Sequence, residues 1–261
     1  MLERVLKRCR SGIAQYRIGR LRDSHRIAHT KLGSTYGGWY VPTGVLNSTS
    51  VCYTVGAGED ISFDVGLVKQ FNCLVYICDP TPRALKHYEL LRGNTIRGAR
   101  TSTGLGTQDF YDCDTATLSH LQFLPYGVWN ESKAMRFYAP KDPAHVSHSL
   151  VNLQGTQDYF DAECRAIKDL MLELNHSQIN LIKLDVEGAE YKIIDSLLFD
   201  GIFPSILCVE FDEGHTPQDG DYLQRIAHAI SKLKHAGYLA TYVDSWNVTF
   251  VQQQVSRRLT E

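Results

Sequence analysis

Apolar runs and polar gaps alternate along the 261-residue chain with the rhythm of strands followed by helices. Val51–Val55 (VCYTV) breaks at Gly56-Ala57-Gly58, and a helical stretch over residues 61–70 follows. Leu74–Cys78 (LVYIC) stops at Asp79-Pro80-Thr81-Pro82, and residues 83–92 read as a helix with Pro82 near its first turn. Residues 121–128 predict another strand and 135–138 a short extension beyond it. Residues 93–120 and 139–155 are rich in Gly, Thr, Ser, Asp and His, which predicts loops and edge strands covering a site. Regular order then returns. Residues 161–174 predict a periodic helix, 179–184 a strand, 188–199 a helix, 205–211 a strand and 222–235 a helix. Residues 238–243 and 248–252 predict a closing antiparallel pair around Trp246-Asn247.

Strands spaced by helices predict an α/β fold with a mostly parallel sheet covered on both faces. Right-handed crossovers place the strand C-termini along one edge, beside the crevice where ligands bind. The polar residues fall there: Gly56 to Glu59, Asp79, Gly127-Val128-Trp129, Asp185-Val186-Glu187 and Glu210-Phe211-Asp212 all close predicted strands.

Composition narrows the class. With 43% hydrophobic and 21% charged residues the chain is an ordinary globular one. No apolar run approaches the roughly 20 residues of a membrane-spanning helix, and the first residues lack the pattern of a secretory signal. The seven cysteines are odd in number and include no CxxC pair. That predicts buried thiols in a reducing cytoplasm. Charge is uneven: residues 1–31 hold nine Lys or Arg against two acids, and the rest 18 bases against 27 acids. The acidic body argues against nucleic acid as partner. Residues 1–35 therefore read as a basic helical arm and 36–261 as the main domain. Leu2, Val5, Leu6, Cys9, Ile13 and Tyr16 recur at helical spacing and are expected to form one apolar face. The arm either docks on the domain or makes peripheral contact with an anionic membrane.

The turn Gly56-Ala57-Gly58-Glu59-Asp60 suits close passage of backbone past a ligand. Its acids would repel a diphosphate and suit a cationic cofactor such as S-adenosylmethionine, and Ile61 breaks the third-glycine pattern of a dinucleotide site. Asp79, about twenty residues on, can accept ribose hydroxyls or cap the following helix. Lys183-Leu184-Asp185-Val186-Glu187-Gly188-Ala189-Glu190 delivers Asp185 and Glu187 to the sheet edge, while the helix dipole alone accounts for Glu190. Cys208 to His215 (CVEFDEGH) adds Glu210, Asp212, Glu213 and His215. Carboxylates on adjacent strand ends can hold a divalent cation, deprotonate a hydroxyl or position one. His145 and His148 read as solvated loop residues.

These segments, with Tyr126-Gly127-Val128-Trp129 and the lead-in Tyr36-Gly37-Gly38-Trp39, resemble the FkbM family of S-adenosylmethionine-dependent methyltransferases. The resemblance covers about residues 36–250, and its most specific part is the K-x-D-x-E-G-x-E run at 183–190. It implies a Rossmann-like class I methyltransferase with a seven-stranded sheet and O-methyl transfer, often to a sugar hydroxyl. Gly56, Ala57, Gly58, Glu59, Asp79, Gly127, Val128 and Asp185 are then the expected cofactor contacts. Where many members carry an acid two residues before the first glycine, this chain has Thr54, so Glu59 or Asp60 is expected to meet the methionyl ammonium. Asp185, Glu187, Glu210 and His215 are the expected catalytic set. They act either through Mg²⁺ held by Asp185 and Glu210, or without metal and with His215 or Asp185 as base. The rival readings are an NAD(P)-dependent oxidoreductase and a non-catalytic module binding glycans or membranes. The turn acids and missing glycine weigh against the first, and the retained acids at 185, 187 and 210 against the second.

Overall fold

The computed structural model describes residues 12–24, 27–104, 109–141, 148–150 and 155–260. Residues 12–19 form helix α1, and a hairpin follows from β1 (His29–Leu32) and β2 (Trp39–Pro42). The central sheet has seven strands in the order β11-β12-β10-β9-β3-β4-β5. These are β3 (Val51–Val55), β4 (Leu74–Cys78), β5 (Leu121–Leu124), β9 (Leu181–Leu184), β10 (Ile206–Glu210), β11 (Tyr238–Asp244) and β12 (Asn247–Gln252). The pairs from β5 to β10 are parallel, and β12 runs antiparallel to both of its neighbours.

Side chains alternate across this sheet, and two cores result. Tyr53, Val55, Ile182, Leu184, Leu207 and Val209 face a layer built from α1, α5 (Ile167–Glu173), α6 (Glu190–Phe199) and α7 (Tyr222–His235). Cys52, Val75, Ile77, Leu181, Ile206 and Cys208 face α2 (Ser62–Phe71), α3 (Pro82–Ile96) and the β1–β2 hairpin. The order reverses between β3 and β9, so the crevice of the switch point opens between their C-terminal ends.

Several expected boundaries change. Residues 161–174 are not one helix: Tyr159–Arg165 is strand β8 and only Ile167–Glu173 is helical. Phe160, Ala162 and Cys164 alternate with Asp161, Glu163 and Arg165, a period of two that pairs with β7 (Lys133–Tyr138), where Arg136 meets Asp161. The run at 121–128 is interrupted at Pro125. Beyond it Gly127–Val128 (β6) joins β8 and β7 in a separate three-stranded sheet. The β1–β2 hairpin, a short helix α4 (Thr115–Leu118) and the terminal helix α8 (Gln253–Thr260) are additional to the expected elements. The hairpin spans the 35/36 position at which the arm was expected to end.

From residue 12 onward the arm is docked. Ala14 and Ile18, four residues apart, are buried in the core, whereas Ile13 and Tyr16 are exposed, so the buried stripe differs from the expected face. Leu2, Val5, Leu6 and Cys9 lie outside the described residues. Asp23 secures the end of the arm: Lys234 Nζ donates to it at 3.0 Å, and its own N–H donates to Ala240 O. Among the described residues no helix is long and apolar enough to cross a membrane, and six cysteines are free thiols.

Candidate active site at the carboxyl edge of the sheet

The turn after β3 is shaped by its glycines and by Asp79. Gly56 has φ +86°, and a Cβ there would stand 1.8 Å from Asp185 O, so the ends of β3 and β9 touch only because residue 56 is glycine. One oxygen of the buried Asp79 carboxylate accepts from the N–H groups of Ala57 (2.9 Å) and Gly58 (3.0 Å). The other accepts from the N–H (2.8 Å) and hydroxyl (2.6 Å) of Thr81, the N-cap of α3. Glu59 pairs with Arg83 at 2.8 Å. Asp60 accepts from Ser34 Oγ at 2.6 Å and from Ser62 N–H at 2.9 Å, which fastens the β1–β2 hairpin to the turn.

Beneath the turn lies a buried charge cluster. Lys183 Nζ donates to Gly56 O at 2.6 Å and to Asp185 Oδ2 at 2.9 Å. Thr54 donates its hydroxyl to the buried Asp64 at the start of α2. Burial raises Asp64 to about 6, against the opposing pull of Lys183 and Thr54. Desolvation works against the Lys183 charge, yet Asp185, Asp64 and Glu210 outweigh it and its pKa rises. Thr54, at the position where an acid was expected, is instead the hydrogen-bond partner of a buried acid, Asp64.

On the other side of the switch point, the turn at 185–189 is tightly held. Glu187 has φ +51° and Gly188 φ +99°. Asp212 accepts the Glu187 N–H at 2.7 Å, Glu190 accepts the Gly188 N–H at 2.9 Å, and Ser149 donates its hydroxyl to Glu187 O. Glu190 and Asp212 are buried, hydrogen-bonded carboxyls. Desolvation is the first cause that raises both, and the Glu190 charge raises Asp212 further.

Glu210 accepts from or shares a proton with His215 Nε2 at 3.1 Å. Burial and then the Asp185 charge raise Glu210 to about 7, and the hydrogen bond to Glu210 raises His215. Asp185, Glu210 and Asp212 each bring one oxygen within 4.8 Å of the others.

The structure therefore gathers Gly56, Ala57, Gly58, Glu59 and Asp79 on one side of the crevice, and Asp185, Glu187, Glu210 and His215 on the other. Gly127 and Val128 are buried in the small sheet, where a Cβ on Gly127 would stand 2.5 Å from Phe137 Cζ. His148 packs edge-on against Phe160, and His145 lies outside the described residues. Asp64, Ser149 and the position of Asp212 beneath Glu187 escaped sequence reasoning. Only Asp64 had a signal, an acid in the first turn of an otherwise apolar helix start.

The family model for the methyltransferase FkbM domain matches residues 56–240. No curated protein matches the chain. Among solved structures, a fibrillarin/Nop5p complex matches at 7% identity and a TM-score of 0.40, over 79% of this chain and 73% of that one. The fibrillarin pre-rRNA processing protein of Methanococcus jannaschii matches at 9% identity and a TM-score of 0.41, over 89% and 85%.

Proposed function

The chain belongs to the FkbM methyltransferase family and is an S-adenosylmethionine-dependent methyltransferase with a Rossmann-like class I fold; we propose that it methylates oxygen, at a sugar hydroxyl of a carbohydrate or glycosylated acceptor. The observation that carries this reading is the pairing of Glu210 with His215 at 3.1 Å, beside Asp185 and one strand beyond the switch point from the glycine turn.

When bound, S-adenosylmethionine supplies a methyl carbon activated by its sulfonium. Gly56, Ala57, Gly58 and Glu59, with Gly127 and Val128 beyond β5, are the residues that would hold it. Because both Asp79 oxygens already accept two protein hydrogen bonds, we assign Asp79 to shaping the turn and not to the ribose. Asp60 is fastened to Ser34 and Ser62 and Glu59 is paired with Arg83; we assign Glu59 to the cationic end, which it would meet while keeping the Arg83 pair. Asp185, held by Lys183, and Glu187 orient the acceptor hydroxyl in line with the methyl group. The Glu210–His215 pair takes the hydroxyl proton as transfer proceeds.

Asp185, Glu210 and Asp212 are spaced to hold Mg²⁺. Each already has a protein partner, namely Lys183, His215 and the Glu187 N–H, and we therefore favour the metal-free route. The free thiols fit a cytoplasmic enzyme.

The test is methyl transfer from labelled cofactor to a glycan library, with and without EDTA. O-Methylated sugar formed equally in both supports the proposal. Label on nitrogen, carbon or sulfur overturns the acceptor assignment, and turnover that EDTA abolishes and Mg²⁺ restores overturns the metal-free route.

A further inference from the structure

The tip of the β1–β2 hairpin is pinned over the site and holds out an aromatic ring. Ser34 is the pin: its hydroxyl donates to Asp60 and accepts from the N–H groups of Tyr36 (3.1 Å) and Gly37 (2.9 Å), while its own N–H donates to Ser62 Oγ at 2.7 Å. Neither glycine of the tip leaves room for a side chain. A Cβ on Gly37 would stand 2.8 Å from the Asp60 carboxyl, and one on Gly38 2.4 Å from Ser34 O. At the first residue of β2, where the tip rejoins the strands, the buried Trp39 ring lies 6.0 Å from Lys183 Nζ, which fixes the tip beside the strand end that carries Asp185.

On this rigid mount Tyr36 is 87% exposed. Its phenol is raised, first by desolvation from the rim and then by the negative charges of Asp185, Glu210, Glu187 and Asp60, in that order. The Ser34–Asp60 pin and the Trp39–Lys183 contact place the tip that carries Tyr36 at the rim, next to the strand end that bears Asp185.

We propose that Tyr36 is an acceptor-binding residue that stacks on the apolar face of a pyranose ring and sets which hydroxyl reaches the carboxylates of the rim. A sugar presents C–H groups on one face and hydroxyls around its edge. An amphipathic aromatic face next to carboxylate acceptors matches both. The inference rests on the sugar-hydroxyl reading above.

The test is saturation-transfer NMR of a mixture of methyl pyranosides with the S-adenosylhomocysteine-loaded protein, for wild type, Tyr36→Ala and Tyr36→Trp, alongside calorimetry of S-adenosylhomocysteine. The expected result is pyranoside binding weakened about tenfold in Tyr36→Ala, the size of one lost stacking contact, and retained in Tyr36→Trp. Affinity for S-adenosylhomocysteine should stay the same in all three. Undiminished pyranoside binding by Tyr36→Ala, no binding by wild type, or a matching loss of S-adenosylhomocysteine affinity overturns the assignment. Labelled methyl found on sugar while Tyr36→Ala behaves as wild type sinks only this inference. Label on a non-sugar acceptor sinks the reading beneath it.

Discussion

Lys183 and Asp185, two residues apart at the end of β9, meet on one side of the strand with Nζ 2.9 Å from Oδ2, and the same ammonium donates to Gly56 O across the switch point. One buried cation therefore ties the acceptor side of the crevice to the cofactor turn. Replacing it with the similarly sized Met leaves the Asp185 and Asp64 carboxylates without a counter-charge. We expect Lys183→Met to lose about 3–5 kcal/mol of stability in denaturant titration, as breaking a buried pair does, and to bind S-adenosylhomocysteine more weakly than wild type.

Gly56 is the second tie. Alanine there must adopt φ +86° and place its Cβ against Asp185 O. The conformational cost alone is about 1–2 kcal/mol, and the contact requires β3 and β9 to separate. Gly56→Ala should lower the melting temperature and abolish S-adenosylhomocysteine binding, both readable in one thermal-shift series with and without ligand.

The Glu210–His215 pair predicts a pH profile. Glu210 is raised to about 7 and His215 is raised by its bond to Glu210, so the pair accepts a proton only once it has lost one. Turnover should rise with pH through an apparent value at or above about 7 that belongs to the pair. Glu210→Gln removes the charge that holds the imidazole proton, which should move the rising limb to lower pH. Loss of the base in His215→Asn should cost about 10²–10⁴-fold in kcat.

Asp64 leaves a signature in stability. Its folded value of about 6 lies above the ordinary 3.8, so the folded state binds the proton more tightly than the unfolded chain. The contribution of Asp64 to stability is then fully present below about pH 4 and is lost as pH rises through 6, an amount on the order of 3 kcal/mol. Asp64→Asn should flatten that slope in urea titrations between pH 4 and 7.

What was legible in the sequence follows from how each feature is encoded. β3, β4, β9 and β10 are unbroken apolar runs closed by glycine or acid, so their ends and the rim residues Gly56, Asp79, Asp185 and Glu210 could be placed from local pattern. β8 was misread because its helical spacing outweighed the alternation of Phe160, Ala162 and Cys164 with charged neighbours. The partners of the rim were hidden for another reason. Asp64 meets Thr54 ten residues away, Ser149 meets Glu187 across 38 residues and Ser34 meets Asp60 across 26, and such contacts exist only once the sheet and hairpin have assembled. The occupied Asp79 oxygens were likewise invisible, since two of their four donors are backbone N–H groups of the glycine turn.

The most direct measurement is calorimetric titration of the wild-type protein with S-adenosylhomocysteine and, separately, with NAD⁺. The account predicts one saturable site for S-adenosylhomocysteine and no heat of binding for NAD⁺. Saturable binding of NAD⁺ with none of S-adenosylhomocysteine would contradict it.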